Sequence, residues 1–192
     1  MWETLLALDG GGLLWIQEHL RGPILDAVVS FYTTLGNAGI LFLVLAGVLL
    51  CFRRTRKAGA LALCAIVIGF LCTNVVLKHL VGRPRPWLDV PGLTALVAEH
   101  DPNSFPSGHT CAAFAFAAGV WRGAPERWMK WTALALAVFM GLSRLYVGVH
   151  YPSDVLVGAL VGVLSGQAAW WLCLQWEKRR ELRRQAGAPP EQ

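Results

Sequence analysis

The feature that most constrains this chain is the alternation of long apolar runs with short basic clusters. Five runs, at about 37–52, 58–77, 107–121, 129–145 and 154–176, are long enough to cross a bilayer as helices, allowing for helices that end beside a polar pocket. Three clusters border them: Arg53, Arg54, Arg56 and Lys57; Arg122, Arg127 and Lys130; and Lys178, Arg179, Arg180, Arg183 and Arg184. Threading the runs through a membrane in alternation puts all three clusters on one side, which the positive-inside rule makes cytoplasmic. Trp121, Trp128, Trp131, Trp170, Trp171 and Trp176 mark that same edge, where indoles favour the headgroup level. Only 15% of the residues are charged, against about 25% in a soluble domain. A water-soluble globule, a disordered chain and a secreted disulfide scaffold are therefore excluded. The fold class expected is all-α: a polytopic transmembrane helix bundle with five clear spans.

Residues 1–36 read differently. The stretch from Leu13 to Leu35 is apolar but holds Gln17, Glu18, His19, Arg21 and Asp26, and Gly22-Pro23 breaks it. A charge at a helix centre costs about 2.5–3.5 kcal/mol on insertion scales, so two short amphipathic helices on the outer surface fit better than a sixth span. Both readings stay open at this point. The division expected is 1–36 as this N-terminal segment, 37–177 as the transmembrane core, and 178–192 as a basic cytoplasmic tail with a disordered Ala-Pro-Pro finish. Cys51, Cys64, Cys72, Cys111 and Cys173 are odd in number, lie in or beside apolar runs and form no CxxC, so they read as small packing residues without a disulfide or thiol-bound metal. No removable signal peptide is expected. Basic clusters at span ends are topology signals, so no nucleic-acid partner is expected. No feature specifies an oligomeric state.

The outer segments, 78–106 and 144–154, carry the chemistry. Lys78 and Arg144 close their spans and Arg85 follows a short loop, so three cations reach one face. Together they suit a dianionic phosphoryl group, since Arg offers a planar donor fork and Lys a point charge. Pro106-Ser107-Gly108 then opens a helix whose first N–H groups form an anion site; Gly108 lets the backbone approach and Ser107 adds a hydroxyl. His150 is followed four residues later by Asp154, a carboxylate one helical turn away that can hold one imidazole nitrogen and leave the other aimed outward. An imidazole so held is a candidate nucleophile towards phosphorus, and His109 is a candidate acid for the leaving oxygen. This inventory suffices for phosphoryl transfer without a metal.

Blander readings attach to each residue. Arg144 and Lys78 taken singly could be snorkelling interface residues, and His150 with Asp154 a structural pair. A zinc site at His109, His150 and Asp154 is opposed by the surrounding cations. His19, His79 and His100 match no motif and read as surface residues, while Asp101 and Asn103 read as loop capping or as residues shaping substrate access.

The motifs resemble those of the type 2 phosphatidic acid phosphatase superfamily, which includes membrane lipid phosphatases and the vanadium haloperoxidases. Its KxxxxxxRP matches Lys78, Arg85 and Pro86; its PSGH matches Pro106 to His109; its SRxxxxxHxxxD matches Ser143, Arg144, His150 and Asp154. The resemblance covers about residues 36–176 and looks like the bacterial members, including undecaprenyl diphosphatases. It implies that His150 is the nucleophile, Asp154 its orienter and His109 the general acid, with Lys78, Arg85, Ser107, Gly108 and Arg144 binding phosphate. Arg83-Pro84 is a second Arg-Pro that misses the spacing. Many relatives have six spans, and a clear first one is missing here. The function implied is hydrolysis of a phosphate or diphosphate lipid, such as undecaprenyl diphosphate, phosphatidylglycerophosphate or phosphatidic acid, at the outer face of a plasma membrane through a phosphohistidine, with no cofactor. A phosphotransferase passing the group to a sugar or lipid hydroxyl is the alternative enzyme, and a non-catalytic membrane scaffold or transporter the alternative class.

Overall fold

The computed structural model describes residues 2–99 and 101–186; His100 and the Ala-Pro-Pro finish of the tail lie outside the described residues. The described residues form helices and loops, with no strand among them. Helix α1 (Trp2–Leu20) stops at Gly22, whose backbone is extended, and Pro23 opens α2 (Pro23–Leu35) from its first turn. A single tight turn, Asn37–Gly39, separates α2 from α3 (Ile40–Cys51), and left-handed backbone at Ala38 (φ 51°) and Gly39 (φ 73°) bends the pair by 51°. Helix α4 (Arg56–Phe70) runs into a π-helical turn (Leu71–Leu77) and the short α5 (Lys78–Val81), which Gly82 terminates in the left-handed region. After α6 (Pro86–Asp89) and a long irregular loop come α7 (Gly108–Gly123), α8 (Arg127–Tyr146) and the 35-residue α9 (Pro152–Ala186).

Helix α7 is the axis of the bundle because small residues let its neighbours approach closely. A Cβ on Gly119 or Gly123 would stand 2.5 Å from the Cα of Ala62 or Ala58 on α4. On the other side, Gly158, Gly162 and Gly166 recur every four residues along α9 and meet Ser107, Cys111 and Ala118 of α7. Within a membrane, where apolar surface gains nothing by leaving lipid, such close packing is what drives helices together. The core accordingly consists of alanines interleaved with Phe42, Ile66, Phe116, Val120 and Met140. Two smaller clusters lie under the long loop between α6 and α7. Val29, Tyr146, Val147 and Val149 make one, and Leu13, Leu93 and Tyr151 the other, so α1 and α2 pack against the end that carries the sequence motifs.

Helices occupy all five expected runs. By length and composition, Arg56–Asp89 and Pro152–Arg184 can cross a membrane, and the bent pair Pro23–Leu35 with Asn37–Cys51 makes a third. Helix α7 has only 16 residues, and α8 carries Arg127 and Lys130 at one end and Arg144 at the other. Both begin or end at polar ground instead of running apolar throughout.

Candidate active site

The site lies where α4, α7, α8 and α9 present the ends opposite the basic clusters. At the far end, Arg54 pairs with Glu126 and Lys57 with Glu177, tying the clusters together. At the site end a pocket of about 150 Å³ is lined by Lys78, Arg85, Gly108, His109 and His150, with Glu99, Thr73 and Asn74 among its other walls. Five of the eight residues singled out from the sequence thus face one cavity. Ser107, Arg144 and Asp154 sit directly behind it, each fully buried.

Local structure explains the placement. The π-helical turn carries α4 into α5 and brings Lys78 to the cavity; such turns are frequent at functional sites. Arg85 precedes Pro86 in extended backbone, as a residue before proline prefers. Ser107 is the N-cap of α7, and its hydroxyl accepts from the Thr110 N–H (3.4 Å) and hydroxyl (2.9 Å). The hydroxyl accepts both bonds and keeps its own O–H, although Ser107 is not among the residues that line the cavity. At Gly108 a Cβ would stand 2.9 Å from Asn74 Oδ1, so a larger residue would push that side chain aside.

The two large cations are held on several sides. Arg85, 1% exposed, donates to the carbonyls of Asp101 (3.0 Å) and Val149 (3.0 Å), to His150 Nε2 (3.0 Å) and to Glu99 (3.4 Å). Arg144, 0% exposed, donates to Thr33 Oγ1 (2.7 Å) and to the other oxygen of Glu99. The Glu99 carboxylate therefore bridges the two guanidiniums, and Asp101 pairs with Lys78. Burial lowers the pKa of Arg85 despite the opposing charges of Glu99, Asp101 and Asp154. Burial pushes the Asp101 carboxyl up, but its hydrogen bonds from Lys78 and the Asn103 N–H, with the charges of Lys78 and Arg85, leave it below the usual range.

An arginine can only donate, so the contact from Arg85 assigns the lone pair of His150 to Nε2 and its proton to Nδ1. Burial, followed by the charges of Arg144, Arg85 and Lys78, holds this imidazole well below its usual 6.5, hence neutral. Its Nδ1 lies 3.5 Å from Asp154 Oδ2 and makes no hydrogen bond. The expected pair is adjacent, and the same carboxylate is held from two further sides: Oδ2 accepts the Tyr151 N–H at 2.9 Å and Oδ1 accepts from Arg83 at 2.9 Å. His109 Nε2 lies 3.0 Å from Asn37 Oδ1, at the bend between α2 and α3. Among the described residues no group of three or more His, Cys, Asp and Glu is arranged to hold a metal ion.

Sequence reasoning did not anticipate Arg83, Glu99, Asn37 and Thr33 as partners of the site. Arg83 had a signal, the doubled Arg-Pro. The others sit in segments whose polar residues read as ordinary loop or helix-end chemistry.

Residues 59–180 match the family described as the PAP2 superfamily. The chain is 34% identical over 151 residues to a protein of Bacillus licheniformis named bacitracin transport permease protein BcrC, covering 77% of this chain and 71% of that one. It is 33% identical over 138 residues to an undecaprenyl-diphosphatase of Sulfolobus acidocaldarius, covering 72% and 66%. Its fold matches the crystal structure of the transmembrane PAP2 type phosphatidylglycerolphosphate phosphatase of Bacillus subtilis with a TM-score of 0.71 at 27% identity, over 90% of this chain and 87% of that one. Apolar helices and a transmembrane neighbour make this a membrane protein, and its motifs, fold and matched length agree: the chain belongs to the PAP2 superfamily.

Proposed function

We propose that the protein is a lipid phosphatase that hydrolyses phosphate or diphosphate lipids at the extracytoplasmic face of a plasma membrane, without a metal, through a phosphohistidine. The observation that carries this is the neutral His150, its Nε2 lone pair at the wall of a cavity shared with Lys78, Arg85 and His109. In the first step the phosphoryl group displaces Glu99 from Arg85 and Arg144 and also takes over the Arg85 Nη1–H that His150 Nε2 accepts, which frees that lone pair. The Nε2 lone pair forms the N–P bond as the P–O bond to the lipid breaks, and His109 gives a proton to the leaving oxygen. The proton on Nδ1 faces Asp154, which stabilises the positive imidazole. Water then attacks phosphorus with His109 as base and releases phosphate. Lys78, Arg85, Arg144 and the first N–H groups of α7 stabilise the transition-state charge that a metal would otherwise meet.

The pairing of Arg54 with Glu126 and of Lys57 with Glu177 at the end opposite the cavity supports a cytoplasmic basic face, a cytoplasmic C-terminus and an outer active site. The helices α3, α4, α7, α8 and α9 are the five spans of this reading, with α1 and α2 packed on the outer end. Relatives named for undecaprenyl diphosphate and phosphatidylglycerolphosphate support a substrate with a lipid phosphate or diphosphate. The test is phosphate release from purified undecaprenyl diphosphate, phosphatidylglycerophosphate and phosphatidic acid, with excess EDTA and no acceptor alcohol. Release on at least one lipid is expected. Release only after adding a hydroxyl acceptor would favour a phosphotransferase, and loss with EDTA restored by a divalent ion would contradict the charge assignment.

A further inference from the structure

The cation nearest the orienting carboxylate is one that the phosphate motif leaves out. Arg83 stands between α5 and α6 and points away from the cavity, towards the start of α9. Its Nη1 donates to Asp154 Oδ1 (2.9 Å) and to Ser153 Oγ (2.7 Å), and its Nη2 to Asp9 Oδ2 (3.0 Å). The guanidinium carbon sits over the Tyr151 ring, 3.7 Å from its centre. Asp9, on α1, also accepts from the Ser153 hydroxyl and from its N–H (3.3 Å). The side chains of Arg83 and Asp9 are 12% and 15% exposed, and Asp154 is 0% exposed.

This arrangement answers a problem that the His150–Asp154 pair poses. A fully buried carboxylate without a cation takes up a proton, and a protonated Asp154 could not stabilise a positive His150. Arg83 is the one Lys or Arg paired with Asp154 among the described residues. Its fork also fixes which oxygen faces His150: Oδ1 is taken by the guanidinium, so Oδ2 is left for the Tyr151 N–H and the imidazole. Asp9 in turn neutralises and aims the fork. The chain of contacts runs Asp9–Arg83–Asp154–His150 and joins an N-terminal helix to the nucleophile.

We propose that Arg83 is a positioning residue for the reaction, which keeps Asp154 ionised and turned towards His150, and that Asp9 of α1 positions Arg83, so that the N-terminal helix completes the active site. The proposal rests on the reading of His150 as nucleophile given above, and it predicts an effect confined to one route. Arg83→Gln lowers the rate of phosphohistidine formation by about 10- to 100-fold, less than the loss of a whole orienting carboxylate, about 10⁴-fold in a serine protease. Arg83→Lys keeps a cation and recovers part of that loss. Asp9→Asn costs about three- to tenfold, because it acts one contact further away. Vanadate affinity and KM stay within about threefold of wild type, since neither residue touches the cavity. In an Asp154→Asn background, Arg83→Gln and Asp9→Asn produce little further loss, because independent effects would add and serial ones do not.

The experiment combines single-turnover rates on the full-length purified protein in detergent with ¹⁵N NMR of the histidines. Arg85 holds His150 in the Nδ1–H tautomer in wild type and variants alike, so the readout is the Nδ1 resonance. The Asp154 carboxylate shifts it in wild type, and Arg83→Gln and Asp154→Asn should both return it towards that of an unpaired imidazole. Asp9→Asn and Arg83→Lys carry the test should Arg83→Gln fold poorly. Full additivity of Arg83→Gln with Asp154→Asn, or a loss seen only in vanadate affinity, would overturn the proposal. So would an unchanged His150 Nδ1 resonance in Arg83→Gln. A wild type that neither turns over nor forms a phosphoenzyme, yet shows the Arg83-dependent Nδ1 shift, would sink the phosphatase reading and leave the positioning role standing.

Discussion

The two ends of the bundle both carry arginines and lysines, and they use them in opposite ways. At the site end Arg85 and Arg144 have side chains 1% and 0% exposed, and each holds several acceptors on different elements. At the other end Arg54 and Lys57 are 75% and 46% exposed, and each meets a single carboxylate. Exposed pairs of that kind contribute at most about 1 kcal/mol. Buried cations cost several kcal/mol of lost hydration and persist only where a network compensates. A chain retains the second kind where it must meet an anion, and the first kind where charge only has to stay out of the membrane.

Substitution at both ends sharpens this contrast. Arg144→Ala or Arg85→Ala removes a donor aimed at developing charge and should lower kcat by roughly 10²–10³, by analogy with a lost oxyanion-hole donor. Arg54→Ala and Lys57→Ala should leave kcat and KM within about twofold in the same assay. A comparable loss at both ends would break the comparison.

A smaller effect is expected between these extremes, at Glu99. Its carboxylate bridges Arg85 and Arg144 and so competes with a phosphoryl group for them. Glu99→Gln should tighten vanadate inhibition by about tenfold, which corresponds to about 1.4 kcal/mol. Weaker vanadate binding would mean that Glu99 assembles the arginine pair instead of competing for it.

Much of this was legible in the sequence because its signals are local. The apolar runs and their basic borders anticipate helices α3, α4, α7, α8 and α9, although only the π-helical turn carries α4 on to Leu77 and α9 runs on to Ala186, past the expected end at 176. The spacing from Lys78 to Arg85, and the Gly108-His109 that opens α7, mark residues that the fold brings to one cavity. What the sequence hid depends on contacts between distant segments. Arg83 and Asp154 are 71 positions apart, and Asp9 and Ser153 are 144 apart. Spacing arguments do not reach such pairs. The i, i+4 relation of His150 and Asp154 correctly suggested proximity, but it could not reveal that the Tyr151 N–H shares the oxygen that faces His150. The bend at Asn37–Gly39 was equally hidden, since left-handed backbone at an alanine has no sequence signature, yet it brings Asn37 to His109.

The central claim is that His150 is the nucleophile. The most direct measurement is a rapid alkaline quench, which preserves a P–N bond, during turnover of a ³²P-labelled lipid phosphate, followed by mapping of the labelled peptide. The account predicts label on His150 in wild type, none in His150→Ala, and accumulation slowed in Asp154→Asn. Label retained in His150→Ala, or found on any other residue, would contradict it.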